Sequence, residues 1–424
     1  MAYPKMTMIS QPLYSAPIKD IPGTVREEIA RLDLRGKLPP GSRVAITCGS
    51  RGVANIALVI KSIVEEVKAL GWTPFLVPAM GSHGGATAAG QVEVLHGYGI
   101  TEEAMGAPIL SSMEVVQLGV TADGLPVFMD KYASEAAATI VVNRVKKHTD
   151  FTSHVESGLM KMLVIGLGKH AQALAVHSYG TDGLRRLLPP VARMVIEKAP
   201  VLFGLALVED GLENTTIIRA IPPQEIEQTE SELLKKANSY MARLPIDEID
   251  LLLIDRMGKE ISGSGMDTNV IGRMEITGEP DFEKPRIKYI AVFDLTAGAH
   301  GNAVGVSLAD FTVNRLVNKI DMAALKANAI TSGFPRRGKI PLTLDTDKEA
   351  VDLALRLLGG TLPENARVVR IWDTLHLGHL LVSESLLDEV TQKDGVEIVG
   401  APRELSFTPD DDLEPVDWES WLHS

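Results

Sequence analysis

Between Arg43 and Gly99 the same pattern occurs twice: an apolar run, a glycine-containing loop and a helical stretch. That pattern limits the chain to few folds. Arg43–Thr47 reads as a strand that stops at Gly49. Asn55–Leu70 carries Ile56, Val59, Ile60, Ile63, Val64 and Val67 at helical spacing and closes at Gly71. Thr73–Ala79 is a second strand, followed by Gly81-Ser82-His83-Gly84-Gly85, and Thr87–Tyr98 reads as the next helix. Such units form parallel, right-handed crossovers. The loops after the two strands, Cys48–Gly52 and Met80–Gly85, then share one sheet edge, where open α/β sheets hold ligands. Each loop carries one functional side chain, Arg51 or His83, beside glycines that allow close backbone approach.

A third strand, Ala138–Val142, brings more chemistry to that edge. It releases Arg144, Lys146, Lys147 and His148, then His154, Ser157-Gly158, Lys161, Gly166, Gly168 and His177. Cations and imidazoles after a strand end make a place for an anionic ligand; taken alone, the stretch reads equally well as a solvated basic helix start. Beyond it come a helix over Thr181–Lys198, a hairpin of Val201–Glu209 and Thr215–Ile221, and a charged helix over Glu225–Ala242. Leu244-Pro245 marks a boundary between domains 1–245 and 246–424. The second domain repeats the α/β pattern, with strands at Ile249–Ile254, Tyr289–Asp294 and Arg367–Ile371 and helices over Asp310–Ala329 and Asp347–Leu358. Residues 1–40 show little periodicity beyond a short helix at Thr24–Leu32. The expected architecture is α/β: two α/β domains with mainly parallel sheets and an active-site cleft between them.

Composition removes several classes of function. A formal charge of −13 over 424 residues argues against nucleic-acid partners, so any anion site must be a local basic pocket. The single cysteine, Cys48, allows no internal disulfide and suits a reducing cytosol. The N-terminal stretch lacks the roughly 7–15-residue apolar core of a signal peptide, and no apolar run nears the roughly 20 residues that span a bilayer. The expectation is a soluble cytoplasmic protein with no membrane partner. Of ten histidines, His83, His148, His154 and His177 can be focused on one crevice by strand-end loops. His96 and His170 read as packing or surface groups, and His376 with His379 as a surface pair. No HExxH or Cys-rich zinc spacing is present.

The same residues resemble the nickel-dependent lactate racemase family. Ser50-Arg51 is similar to a strand-end Thr-Arg of that family, and Gly81-Ser82-His83 with Thr87 to its Gly-Thr-His motif. Ser157-Gly158-Leu159-Met160-Lys161 is similar to its Ser-Gly-Gly-x-Lys. Gly166, five residues past the lysine, and His177, sixteen past it, repeat the family spacing. The likeness covers residues 40–180 well and 246–424 only as a general α/β domain. It implies a nickel-pincer nucleotide, a pyridinium-3,5-bisthiocarboxylic acid mononucleotide holding nickel and made by dedicated biosynthetic enzymes. On that resemblance Lys161 bears the covalent link, and His177 is a nickel ligand in the square-planar geometry that nickel(II) favours. Ser50, Arg51, Gly158 and Gly166 contact the cofactor, and His83 with a histidine near the third strand end are the acid/base pair. The family's histidine position falls on Phe151 here, so His148 and His154 compete for that role. The sheet edge favours His148, which comes first after the strand.

Two departures narrow the likeness, the first at a cofactor contact and the second at the substrate. Cys48 stands where the family has an aspartate. Gly258-Lys259-Glu260 shortens a turn of the second domain, so Ser264-Gly265 and Thr268 fall where substrate-gripping groups are expected, without the carboxylate-binding lysine. The implied activity is racemisation or epimerisation of a small-molecule 2-hydroxy acid other than lactate. Two further readings stand beside it: a divalent-metal hydrolase or lyase using His83, His148 and His177, and a non-enzymatic small-anion-binding protein.

Overall fold

The computed structural model describes residues 2–50 and 52–421. It forms two compact units, one of Tyr14–Met241 and one of the chain up to Leu13 joined to everything from Ala242 onward. The N-terminal strand β1 (Lys5–Ser10) therefore belongs with the C-terminal half, and the division expected at 245/246 is crossed by the first strand of the chain.

The Tyr14–Met241 unit is built on strands β2 (Arg43–Cys48), β3 (Thr73–Pro78), β6 (Ala138–Arg144), β7 (Val201–Glu209) and β8 (Thr215–Ile221), in the order β3-β2-β6-β7-β8. The hairpin of β4 (Val115–Val120) and β5 (Pro126–Asp130) lies outside that sheet. β3, β2, β6 and β7 run parallel, and β8 returns antiparallel. Alternation along β2 explains the layering. Val44 and Ile46 enter one buried cluster with Val59, Ile60, Ile63, Val64 and Val67 of helix Ile56–Ala69. Ala45 enters the cluster on the opposite face, with Val141, Leu159, Met160, Leu163 and Val164. Both faces are covered, as parallel sheets require. Thr87 starts its helix by accepting from the Gly90 amide at 3.1 Å. The segment from Val145 to Gly158 is a loop, and the helix of Lys161 begins only at Leu159.

The second unit carries a sheet of nine strands. β9 (Glu248–Ile254), β10 (Arg286–Val292), β11 (Phe311–Val313), β12 (Leu342–Leu344) and β13 (Val368–Ile371) pair in parallel, in the order β12-β11-β10-β9-β13. β14 (His379–Ser383) then runs antiparallel to both β13 and β1, with Met6 opposite Ser383. β15 (Glu397–Ile398) and β16 (Arg403–Glu404) pair with β1. The helix expected over Asp310–Ala329 divides. Phe311-Thr312-Val313 is a buried strand whose Thr312 hydroxyl donates to Val292 O at 2.9 Å. The helix that follows, Met322–Ser332, starts at Asp321, whose carboxylate accepts from the Ala323 and Ala324 amides. His379 is part of β14, while His376 Nδ1 pairs with the buried carboxylate of Asp373 at 2.8 Å, so the two are not one surface pair. Among the described residues no single helix is long and apolar enough to cross a membrane; the helices Leu159–Gly166 and Lys169–His177 reach that length only as a pair bent by 105°.

Candidate active site

Parallel pairing puts the ends of β3, β2 and β6 on one edge of the first sheet, in that spatial order. His83 follows β3, Ser50 follows β2 and His148 follows β6. Arg51, expected beside them, lies outside the described residues.

The loop after β6 is closed at its neck by a two-way backbone bridge between Lys146 and Ser157. Inside it Glu156, only 1% exposed, accepts from the Lys147 ammonium at 2.8 Å, the His148 amide at 2.7 Å and the Ser153 amide at 3.1 Å. Phe151 is fully buried and packs its ring 4.7 Å from that of His148. The position that the resemblance assigns to a base is therefore a core aromatic. His148 accepts at Nδ1 from the Asp150 amide at 3.1 Å, and its Nε2 lies 2.6 Å from Nζ of Lys161. His154 is placed elsewhere. Its side chain is 51% exposed against 12% for His148, and its Nε2 meets Glu227 at 2.9 Å, a carboxylate that Arg193 also holds. Of the two candidates, His148 is the one beside Lys161.

His177 ends the helix Lys169–His177. Its Nδ1 is buried without a hydrogen-bond partner among the described residues. Burial, together with the nearby Lys161 charge, lowers its pKa to about 4, with Asp150 acting against them. A neutral imidazole with an unused ring nitrogen is what a metal ligand must be. On this observation the residues fit the donor that a nickel-pincer nucleotide requires. Among the described residues no group of three or more His, Cys, Asp or Glu side chains converges as a metal site of its own.

His83 opens a tight turn at φ −65° and ψ 167°, and its Nδ1 hydrogen-bonds the Ser50 hydroxyl. Ser50 thus orients an imidazole from the neighbouring strand end, a role apart from the cofactor contact expected of it. Gly81, at φ 60°, lets the loop rest on the helix after Lys161: a Cβ there would meet Ile165 O at 3.2 Å. Gly158 and Gly166 are close-packed against protein. The space at Gly158 is taken by the Glu230 carboxylate, and that at Gly166 by Met162 and Ala79 O. Cys48 is fully buried, and burial pushes its thiol up to about 12. In the second unit Ser264 donates its hydroxyl to Met266 O at 2.6 Å, Thr268 is fully buried, and Lys259 Nζ donates to Gly263 O at 2.6 Å.

Sequence reasoning missed Glu230. On the charged helix Ile226–Tyr240 it looks like part of a solvated face, yet it is fully buried and accepts from the Met160 amide at 2.8 Å, at the start of the Lys161 helix. Burial pushes its pKa up to about 7, against the lowering effect of the Met160 and Leu159 amides. The folded state then holds this proton more tightly than the unfolded state. The associated stability is complete below the ordinary value of 4.5 and is lost as pH rises through 7. Urea denaturation at pH 5 and pH 8 should show the wild type losing about 3 kcal/mol relative to Glu230→Gln. Parallel pH dependence of the two proteins would show that the carboxyl is not perturbed.

The first unit is thus an open, mainly parallel α/β sheet with imidazoles and a lysine gathered at its carboxyl edge. The chain as a whole is similar to the lactate racemase apoprotein from Thermoanaerobacterium thermosaccharolyticum, at 13% sequence identity and a TM-score of 0.50, covering 84% of this chain and 94% of that one. It has a lactate-racemase-like α/β fold. No protein-family model and no curated protein sequence matches the chain.

Proposed function

We propose that the chain is a racemase or epimerase of a 2-hydroxy acid that works with a nickel-pincer nucleotide. The observation that carries the reading is the meeting of Lys161 Nζ with His148 Nε2 at 2.6 Å, beside a neutral, unpartnered His177. The similarity in fold to a lactate racemase supports it. Lys161 would hold the cofactor covalently and His177 would ligate its nickel. When bound, the nucleotide supplies the position that takes hydride from C2 of the substrate and gives it back. His148 and His83 stand on loops from different strands, as inversion requires: one takes the substrate's hydroxyl proton and the other returns a proton to that oxygen. Glu156 and Phe151 hold the His148 loop, and Ser50 holds the His83 ring.

The substrate is a 2-hydroxy acid other than lactate. Lys259 is committed to Gly263 O, and Ser264 is turned inward to Met266 O. Neither resembles a cation displayed to grip a small carboxylate. Loaded enzyme should be tested on a panel of 2-hydroxy acids deuterated at C2, with products separated by chiral chromatography. Longer or polyhydroxylated acids should turn over faster than lactate, with the deuterium retained. Loss of label to solvent would indicate proton abstraction at carbon and end the hydride reading. A preference for lactate would overturn the substrate assignment alone.

A further inference from the structure

Lys169 is fully buried, and its backbone is left-handed at φ 53°. That conformation suits glycine and disfavours any other residue. It stands at the corner where the helix of Lys161 turns by 105° into the helix of His177. Its ammonium donates to Pro78 O at the end of β3 and to Gln91 Oε1 at 3.1 Å, and it lies 3.3 Å from Asp130 Oδ2. An ammonium sealed from water needs acceptors and a counter-charge: the Pro78 and Gln91 oxygens accept its protons, and Asp130 Oδ2 faces it as the opposite charge without a hydrogen-bond partner among the described residues. Asp130 is itself fixed, its Oδ1 accepting from the Ala133 amide at 2.9 Å and its own amide donating to Leu167 O at 2.6 Å.

Gln91 is also fully buried, and the ammonium dictates its orientation. An ammonium only donates, so the amide oxygen must face it and the NH2 must face away. That NH2 donates to Gly81 O at 2.9 Å and to His83 O at 3.3 Å. The hydrogen bonds therefore run from the corner between two helices, through one amide, to the loop that carries His83.

We propose that Lys169 and Gln91 are positioning residues: together they fix the His83 loop against the junction of the Lys161 and His177 helices, so that one buried cation sets the spacing of three site groups. This rests on the reading of those three residues as the site. Neither Lys169 nor Gln91 touches the imidazoles; both act through the backbone they hold. A buried ion pair that served stability alone would need Asp130 and Lys169 but not the amide.

The cofactor-free chain provides the test, by hydrogen exchange of the 80–87 segment and by the ring NMR signals of His83, with helix Ile56–Ala69 and His154 as internal references. In Gln91→Leu, amides of the 80–87 segment should exchange about tenfold faster and the His83 ring signals should move, while both references stay fixed. Lys169→Met should show the same together with lower stability. Adding Asp130→Asn removes the unpaired buried carboxylate, so stability should recover while the loop stays fast. Unchanged exchange and ring signals in Gln91→Leu would overturn the proposal, as would a double variant that restores the loop along with stability. Should Lys169→Met fail to fold, Gln91→Leu decides the matter by itself. Because no cofactor or turnover is involved, failure of the racemase reading would appear in other experiments and leave this result intact.

Discussion

Replacing His148 by alanine is expected to lower turnover of the loaded enzyme by about 10²–10⁴-fold, the usual contribution of a positioned acid or base. The expectation follows from where the loop after β6 places its two histidines. Glu156 draws in the amides of His148 and Ser153, Phe151 packs beneath the His148 ring, and Nε2 is left 2.6 Å from Lys161. His154, six residues on, is turned to Glu227 and Arg193 at the surface. Its replacement by alanine removes an exposed interaction worth about 0–1 kcal/mol and should leave turnover near that of the wild type. Nickel content measured on both variants separates loss of a base from loss of cofactor. A dead His154→Ala beside an active His148→Ala, both replete in metal, would reverse the assignment.

Lys161→Ala and His177→Ala should fail in different ways. The first removes the amine that would hold the cofactor, so neither adduct nor nickel should be retained. The second leaves the amine in place and removes the ring whose Nδ1 is buried without a partner, so the organic adduct should remain while nickel is lost. Neither change strikes at the fold. Lys161 is partly exposed, and the helix around it is anchored by Leu159, Met160, Leu163 and Val164. Loss of one nickel ligand on a borderline metal site should lower its retention through dialysis to near zero, read by elemental analysis of the intact protein. Full retention of nickel in both variants would remove the pincer assignment.

How far the sequence led depended on how local each feature was. The parallel unit around β2 and β3 was legible because each strand and helix declares its own periodicity within a few turns. The gathering of His83, Ser50 and His148 followed from topology. β1 was not legible: Lys5–Ser10 stands outside any strand–helix–strand repeat, and its partner β14 lies near the far end of the chain. β11 was absorbed into a helix because Phe311-Thr312-Val313 is three residues long and is specified by the Val292 carbonyl beside it. The choice between His148 and His154 turned on Glu156 and Glu227, whose partners come from folding. Glu230, Lys169 and Gln91 were invisible for the same reason. Each is an ordinary polar residue on a helix until packing seals it, and Gln91 and Lys169 meet across 78 residues of sequence.

The central claim, that Lys161 and His177 hold a nickel-pincer nucleotide, is tested most directly by the intact mass and metal content of the chain co-expressed with the enzymes that make the cofactor. The expected result is a mass increment that maps to the Lys161 peptide, with nickel in equimolar amount. Unmodified Lys161 and no nickel, in a preparation where a lactate racemase expressed the same way is fully loaded, would contradict it.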